Sequence, residues 1–225
     1  MSAIAERYGK VLREIADAAD LAGRDPADVR LVGVTKTVGM SEVAQAIAAG
    51  MREFGENRAQ EFVGKQALFP DQIWHFIGTL QTNKVKQVVG KAALIHSVDT
   101  LGLLQAIDRR AHEAGVVQQV LLEVNVSGEQ SKHGMTYDEA EDAVLRAGDL
   151  PGVWVRGLMT MAPLGRPEGA RRVFRECGHW LGRLQSLHCD AVDLTELSMG
   201  MSNDFAVAIE EGATIVRVGR AIFGR

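Results

Sequence analysis

The chain has 225 residues, 46% hydrophobic and 24% charged, an ordinary composition for a globular protein long enough to bury its own core. Twenty-five Lys and Arg against twenty-nine Asp and Glu leave a formal charge of −4, which excludes a general electrostatic pull toward nucleic acid or an anionic membrane. Cys177 and Cys189 alone give no disulfide framework and fit a reducing cytoplasm, and the six histidines follow no recognised metal-ligand spacing.

Residues 3–22 predict an opening amphipathic helix, with Val11, Leu12, Ile15 and Ala19 recurring on one face before Gly23 and Pro26 end it. Its mixed charges are unlike a signal peptide, and no later segment approaches membrane-spanning length. LVGVTK at 31–36 reads as a short strand buried on both faces. Ser41 then stands where a helix cap is needed, for a helix running to Ala49 and closed by Gly50.

The same rhythm continues to the C-terminus. Strands are expected at 52–55, 73–77, 93–97, 117–125, 153–158, 194–197 and 213–218, and helices at 58–68, 83–90, 100–114, 137–148, 168–187 and 202–211. In the 100–114 helix, Leu101, Leu104, Ile107 or Asp108, and Ala111 mark the apolar face. Eight strands separated by helices predict an α/β fold, a single (β/α)8 TIM-like barrel over residues 1–225 with an additional N-terminal helix. Closure removes the sheet edges that an open arrangement would leave. SGEQSKHG at 127–134 and APLGRPEG at 162–169 are the expected exposed loops, each following a strand at the rim where barrel sites are built.

Three features of this frame carry chemistry. Lys36 ends the first strand, and if Val32 and Val34 face the interior, period-two alternation turns Lys36 inward at the mouth. A desolvated amine there suits attack on an aldehyde; a lysine at a strand end is otherwise a solvated or paired surface group. LSMGMS at 197–202 joins strand to helix, with Ser198, Ser202 and the amides near Gly200 available to a compact anion and Ser202 as the expected cap. TIVRVG ends at Gly219, beside Arg220, where close backbone approach would complete a phosphate nest at the junctions after strands seven and eight. Arg217 interrupts an apolar strand. Its burial requires partners, either a structural ion pair with Glu56, Glu123 or Glu196, or a ring nitrogen of a bound cofactor that accepts its N–H.

Over almost its whole length the sequence resembles the pyridoxal phosphate homeostasis protein family (the YggS/PROSC family). The resemblance rests on VGVTK at 32–36, FGENRAQE at 54–61, WHFIGTLQTNK at 74–84, HSVD at 96–99, LLEVNVSGEQSKHG at 121–134, RGLMTMAP at 156–163, LSMGMSNDF at 197–205 and TIVRVGRAIFG at 214–224. It implies a barrel related to the N-terminal domain of alanine racemase and pyridoxal 5′-phosphate (PLP) held as an imine on Lys36. By the same resemblance, Ser198, Gly200, Ser202, Gly219 and Arg220 surround the phosphate, and Arg217 contacts the pyridine. Asn57, His75 and Met199 line or support the pocket. Thr35 stands where the family often has serine, and Arg220 where a threonine or small residue is common; Lys132, which the resemblance does not assign, reads either as a residue covering the rim or as a mobile contact near entering ligand or phosphate.

The family implies a non-catalytic role in intracellular vitamin B6 homeostasis, with PLP as ligand, recipient PLP enzymes as partners, and neither nucleic acid nor membrane. A cytoplasmic monomer is expected, with a dimer open. The alternative is a PLP-dependent amino acid racemase or lyase using the same lysine. No second domain is recognisable that would cover the site and supply a further proton-transferring group.

Overall fold

The computed structural model describes residues 2–128, 133–163, 165–187, 189 and 192–224. Lys132 and His188 therefore lie outside the described residues, as does part of each expected rim loop. Eight parallel strands close in sequence order: β1 (Arg30–Val34), β2 (Glu53–Glu56), β3 (Ile73–Phe76), β4 (Leu94–Val98), β5 (Gln118–Glu123), β6 (Val153–Met159), β7 (Val192–Ser198) and β8 (Ile215–Val218). β8 pairs back onto β1 with Val32 opposite Arg217 and Gly33 opposite Val218. The expected barrel is present.

Helices cover the outside. α1 is Ala3–Leu21, α2 Met40–Ala48, α3 Ala59–Leu68, α4 Val85–Val88, α5 Leu101–Ala114, α6 Tyr137–Ala147, α7 Pro167–Gln185, α8 Phe205–Glu210 and α9 Arg220–Phe223. None of the described helices is long and apolar enough to cross a membrane. Alternation divides the apolar residues into two cores. The larger fills the space between strands and helices, with Phe54, Phe62, Trp74, Phe76 and Phe174 fully buried in it. The smaller contains Val32, Leu94, Leu121, Met159 and Ile215 from the interior-facing alternation.

Several boundaries differ from the sequence expectation. Strand β1 stops at Val34, so Thr35 and Lys36 belong to the turn that follows, where Thr37 adopts a left-handed φ of 62°. Ser41 does not cap α2: Gly39 occupies that place, and the Glu42 carboxylate accepts its N–H at 2.9 Å. The α1 stripe runs through Ile4, Val11, Ile15, Ala18 and Ala19, leaving Leu12 42% exposed. Leu12 sits one residue past Val11, about 100° around the helix and off the buried face. In α5, Leu103 joins Leu104, Ile107 and Ala111 on the buried face while Leu101 is only partly covered. The short α9 lies beyond the last expected element, and Arg7 of α1 donates to the Ile222 carbonyl within it at 3.3 Å.

Candidate functional site

The C-terminal mouth of the barrel holds a cavity of about 390 Å³, near the lower end of small-molecule sites, which run roughly from 300 to 1,000 Å³. Lys36 reaches it from the turn after β1, Asn57 from the end of β2, Arg217 from β8, and Ser202, Gly219 and Arg220 from the segments after β7 and β8. Val34, Ile77, Met161 and Pro163 supply apolar wall, and Asn203 and Asp204 add polar groups that the sequence reading did not single out. Walls of this kind leave no sequence signal, because an apolar residue at a strand end reads the same whether it faces a cavity or a helix.

Lys36 itself is exposed, so the expected desolvation of its amine at a strand end is not what the fold provides. Its backbone is nevertheless tied down from behind. The Lys65 ammonium on α3, 3% exposed, donates to the Thr35 carbonyl at 2.7 Å and to the fully buried Glu56 carboxylate. Glu56 also accepts the Thr35 hydroxyl at 2.7 Å and the Asn57 N–H at 3.2 Å. One buried ion pair thus fixes the residues on either side of the cavity floor. The Asn57 side-chain oxygen is buried with no hydrogen-bond partner among the described residues, an acceptor whose burial would be offset by a donor from a ligand.

Arg217 is 5% exposed and spends two of its five N–H donors on protein, giving one to Ser198 Oγ at 2.6 Å and one to the Thr160 carbonyl at 3.1 Å. No carboxylate lies within ion-pair distance of it among the described residues. Glu56 is taken by Lys65 and Glu196 by Arg30 at 2.7 Å, while Glu123 acts on Arg217 only through its field. Burial pulls the guanidinium down to about 10, with Glu123 and Asp204 opposing that fall, so it remains a cation at neutral pH. A buried donor-only cation facing a cavity wants an acceptor there.

The remaining predicted residues divide. Ser198 is wholly buried behind Arg217, with its hydroxyl also 2.8 Å from His96 Nδ1. His75 is 1% exposed, its Nδ1 2.9 Å from His96 Nε2. Met199 is packed in the larger core. None of these three reaches the cavity wall. Ser202 does not cap α8, which begins at Phe205; its hydroxyl instead accepts the Ala221 N–H at 3.3 Å and so joins the two late segments.

Of the predicted glycines, Gly219 lines the cavity, whereas Gly200 does not reach its wall and packs against α8. Gly200 has a φ of 92°, and an added Cβ would stand 2.6 Å from Ala208 Cβ and 2.9 Å from Phe205 Cα. Gly219 lies against β1, where a Cβ would meet Val34 at 3.3 Å. The backbone N–H groups of Ser202, Asn203 and Arg220 donate to no other described residue, which leaves three donors at the same end. Lysine amine, buried arginine and a hydroxyl-and-amide corner therefore share one opening.

Known proteins resemble this chain along its length. The family model described as alanine racemase, N-terminal domain, matches residues 11–225. A pyridoxal phosphate homeostasis protein of Aquifex aeolicus (strain VF5) is 45% identical over 222 residues, covering 97% of this chain and 96% of its own. Its namesake from Pseudomonas aeruginosa is 42% identical, covering 100% and 96%. Among solved structures, an unknown protein from Bifidobacterium adolescentis superposes with a TM-score of 0.92 at 37% identity, over 98% of this chain and 94% of that one. PipY of Synechococcus elongatus PCC7942, solved with PLP bound, gives 0.84 at 37% identity over 98% and 100%. An alanine racemase of Clostridium difficile 630 gives 0.72 at 15% identity, covering 95% of this chain and 55% of its own, a likeness of fold alone.

Proposed function

The chain belongs to the pyridoxal phosphate homeostasis protein family, and on that premise we propose that it binds PLP reversibly in the Lys36 cavity as part of intracellular vitamin B6 homeostasis. The observation that carries this reading is the joint presence of Lys36, Arg217 and the Ser202–Gly219–Arg220 corner around one 390 Å³ space. The residues fit the group: an amine for an aldehyde, free amides and hydroxyl for a phosphate, and a cationic donor for a pyridine nitrogen. When bound, the cofactor supplies an aldehyde that condenses with an amine and a ring able to take up electron density.

Each residue then has a task of its own. The Lys36 amine is the covalent attachment point, reversibly as an imine. Ser202, Arg220 and the backbone at Gly219 hold the phosphate end, and the unpartnered Asn57 oxygen accepts from the ligand or its water. Arg217 donates to the ring nitrogen and keeps its own proton, which leaves that nitrogen unprotonated and the ring a weak electron sink. An exposed lysine in an open cavity suits holding and exchange better than turnover, so the protein acts without robust catalysis and passes PLP to recipient enzymes.

Titration of the purified protein with PLP, followed by borohydride reduction and peptide mapping, tests this. The expected result is a yellow species mapped to Lys36 and absent from Lys36→Ala. An equal band in that variant would remove the assigned linkage. Rapid protein-dependent exchange of an amino acid α-proton, abolished by Lys36→Ala, would overturn the non-catalytic part.

A further inference from the structure

Behind Arg217 the barrel interior contains a continuous line of polar side chains drawn from five different strands. Ser198 of β7, His96 of β4, His75 of β3 and Glu53 of β2 follow the arginine of β8, with contacts of 2.6, 2.8, 2.9 and 3.1 Å. Such groups are costly inside a barrel unless each is paired, and the chemistry of the two ends dictates how.

Arginine can only donate, so Ser198 Oγ accepts from it and has its own proton left for His96 Nδ1. That nitrogen then accepts, which places the His96 proton on Nε2, facing His75 Nδ1. His75 accepts in turn and carries its proton on Nε2, toward a carboxylate oxygen of Glu53. With both rings neutral, the opposite polarity would set a bare ring nitrogen against an anion. The Glu53 oxygen lies off the direction of the His75 N–H, so this end is a contact of an anion with a ring dipole more than an aligned hydrogen bond, but neither atom has another partner among the described residues.

The electrostatics agree with this polarity. Burial, with the Arg217 and Arg30 cations nearby, holds the His96 imidazole well below its ordinary value and therefore neutral. Burial pushes the Glu53 carboxyl upward, and contact with His75 and the Arg30 charge more than offset it, leaving Glu53 lowered and ionised. Around Arg217 the other facing charges are Glu123 and Asp204.

We propose that Ser198, His96 and His75, anchored on Glu53, form a one-way hydrogen-bond line that positions Arg217 and sets how strongly it acts on the ring of the bound cofactor. These are positioning residues, and the influence on the ring rests on the PLP reading given above. Loss of the Ser198 acceptor leaves the guanidinium held by the Thr160 carbonyl alone, about which it can turn from the ring. The cation that favours the unprotonated form of the Lys36 linkage then withdraws, and the protonation midpoint of that linkage rises.

Two measurements test the proposal. Nitrogen-15 NMR of histidine-labelled, ligand-free protein at neutral pH should show His75 and His96 both as neutral Nε2–H tautomers. A neutral His96 protonated at Nδ1, or a cationic form of either ring, overturns the line whether or not PLP binds. In PLP-loaded protein, Ser198→Ala and His96→Gln should raise the pH midpoint of the absorption band by ~0.5–1 unit, a three- to tenfold change in that equilibrium. Ser198→Thr should restore it. Wild-type midpoints in both folded variants would refute the tuning role, whereas a wild-type protein that takes up no PLP would sink the cofactor reading and leave the tautomers to decide the line.

Discussion

Replacing Lys65 with methionine fills nearly the same volume and deletes one charge from the interior. Glu56 would then keep its carboxylate fully buried, with only the Thr35 hydroxyl and the Asn57 N–H as donors, and the Thr35 carbonyl would lose its ammonium. Removing one partner of a buried ion pair costs about 3–5 kcal/mol, because the remaining charge is stranded away from water. A domain of this size shifts by roughly 2–4 °C in Tm per kcal/mol, so Lys65→Met should melt about 6–20 °C lower. Since the total stability of such proteins is about 5–15 kcal/mol, the variant keeps a folded state at room temperature for any wild-type stability above about 5 kcal/mol. Urea unfolding at pH 7 of wild type, Lys65→Met, Glu56→Leu and the double variant gives the coupling directly. The double variant should recover at least half of the loss, because an apolar pair strands no charge. A single-variant loss under about 1 kcal/mol, or a double variant as unstable as the two losses added, would show that water reaches this pair and that it does not brace the Lys36 turn.

The two cysteines should separate by reactivity. Burial pushes the Cys177 thiol up to about 12, while Cys189 is half-buried; a thiol reagent at pH 8 should modify one site quickly and the second only in denaturant, and two fast thiols in native protein would contradict the packing of α7. Acid stability should depend on the α7–α8 junction, where hydrogen bonds from Arg175 and Arg171 outweigh burial and hold the Glu211 carboxyl below its ordinary value. A carboxyl lowered in the folded state binds fewer protons there than in the unfolded chain, so its stabilisation is complete above the ordinary value of about 4.3 and drains as the pH falls through it toward the folded value. Arg175→Gln should therefore lower the urea midpoint at pH 7 and flatten its fall between pH 5 and 3; an unchanged slope would count against the assignment.

Much of the architecture was legible along the chain because barrels are written in local terms. Short apolar runs alternating with 3.6-period segments place every strand and every helix but α9, and eight strands close without edges. Arg217 announced itself as a charge inside an apolar strand. The glycines at 200 and 219 marked places where backbone comes close to something, and the paired position of the two late loops pointed to an anion. The ends of elements were less legible. Ser41 and Ser202 have the right chemistry for caps, yet Gly39 with Glu42 and a turn at Asp204 occupy those places.

The sequence by itself determined which residues face inward, because a strand turns its side chains alternately whatever surrounds it. Which inward residues meet was decided only when the sheet closed. Strand tilt brings Ser198 of β7 to His96 of β4 across the interior, so that a serine read from its loop as a phosphate contact is instead spent on Arg217. Likewise the Lys65–Glu56 pair, formed between α3 and the end of β2, holds the turn where Lys36 leaves its strand. Distances across a barrel are set by register and closure, and no stretch of neighbouring residues encodes them.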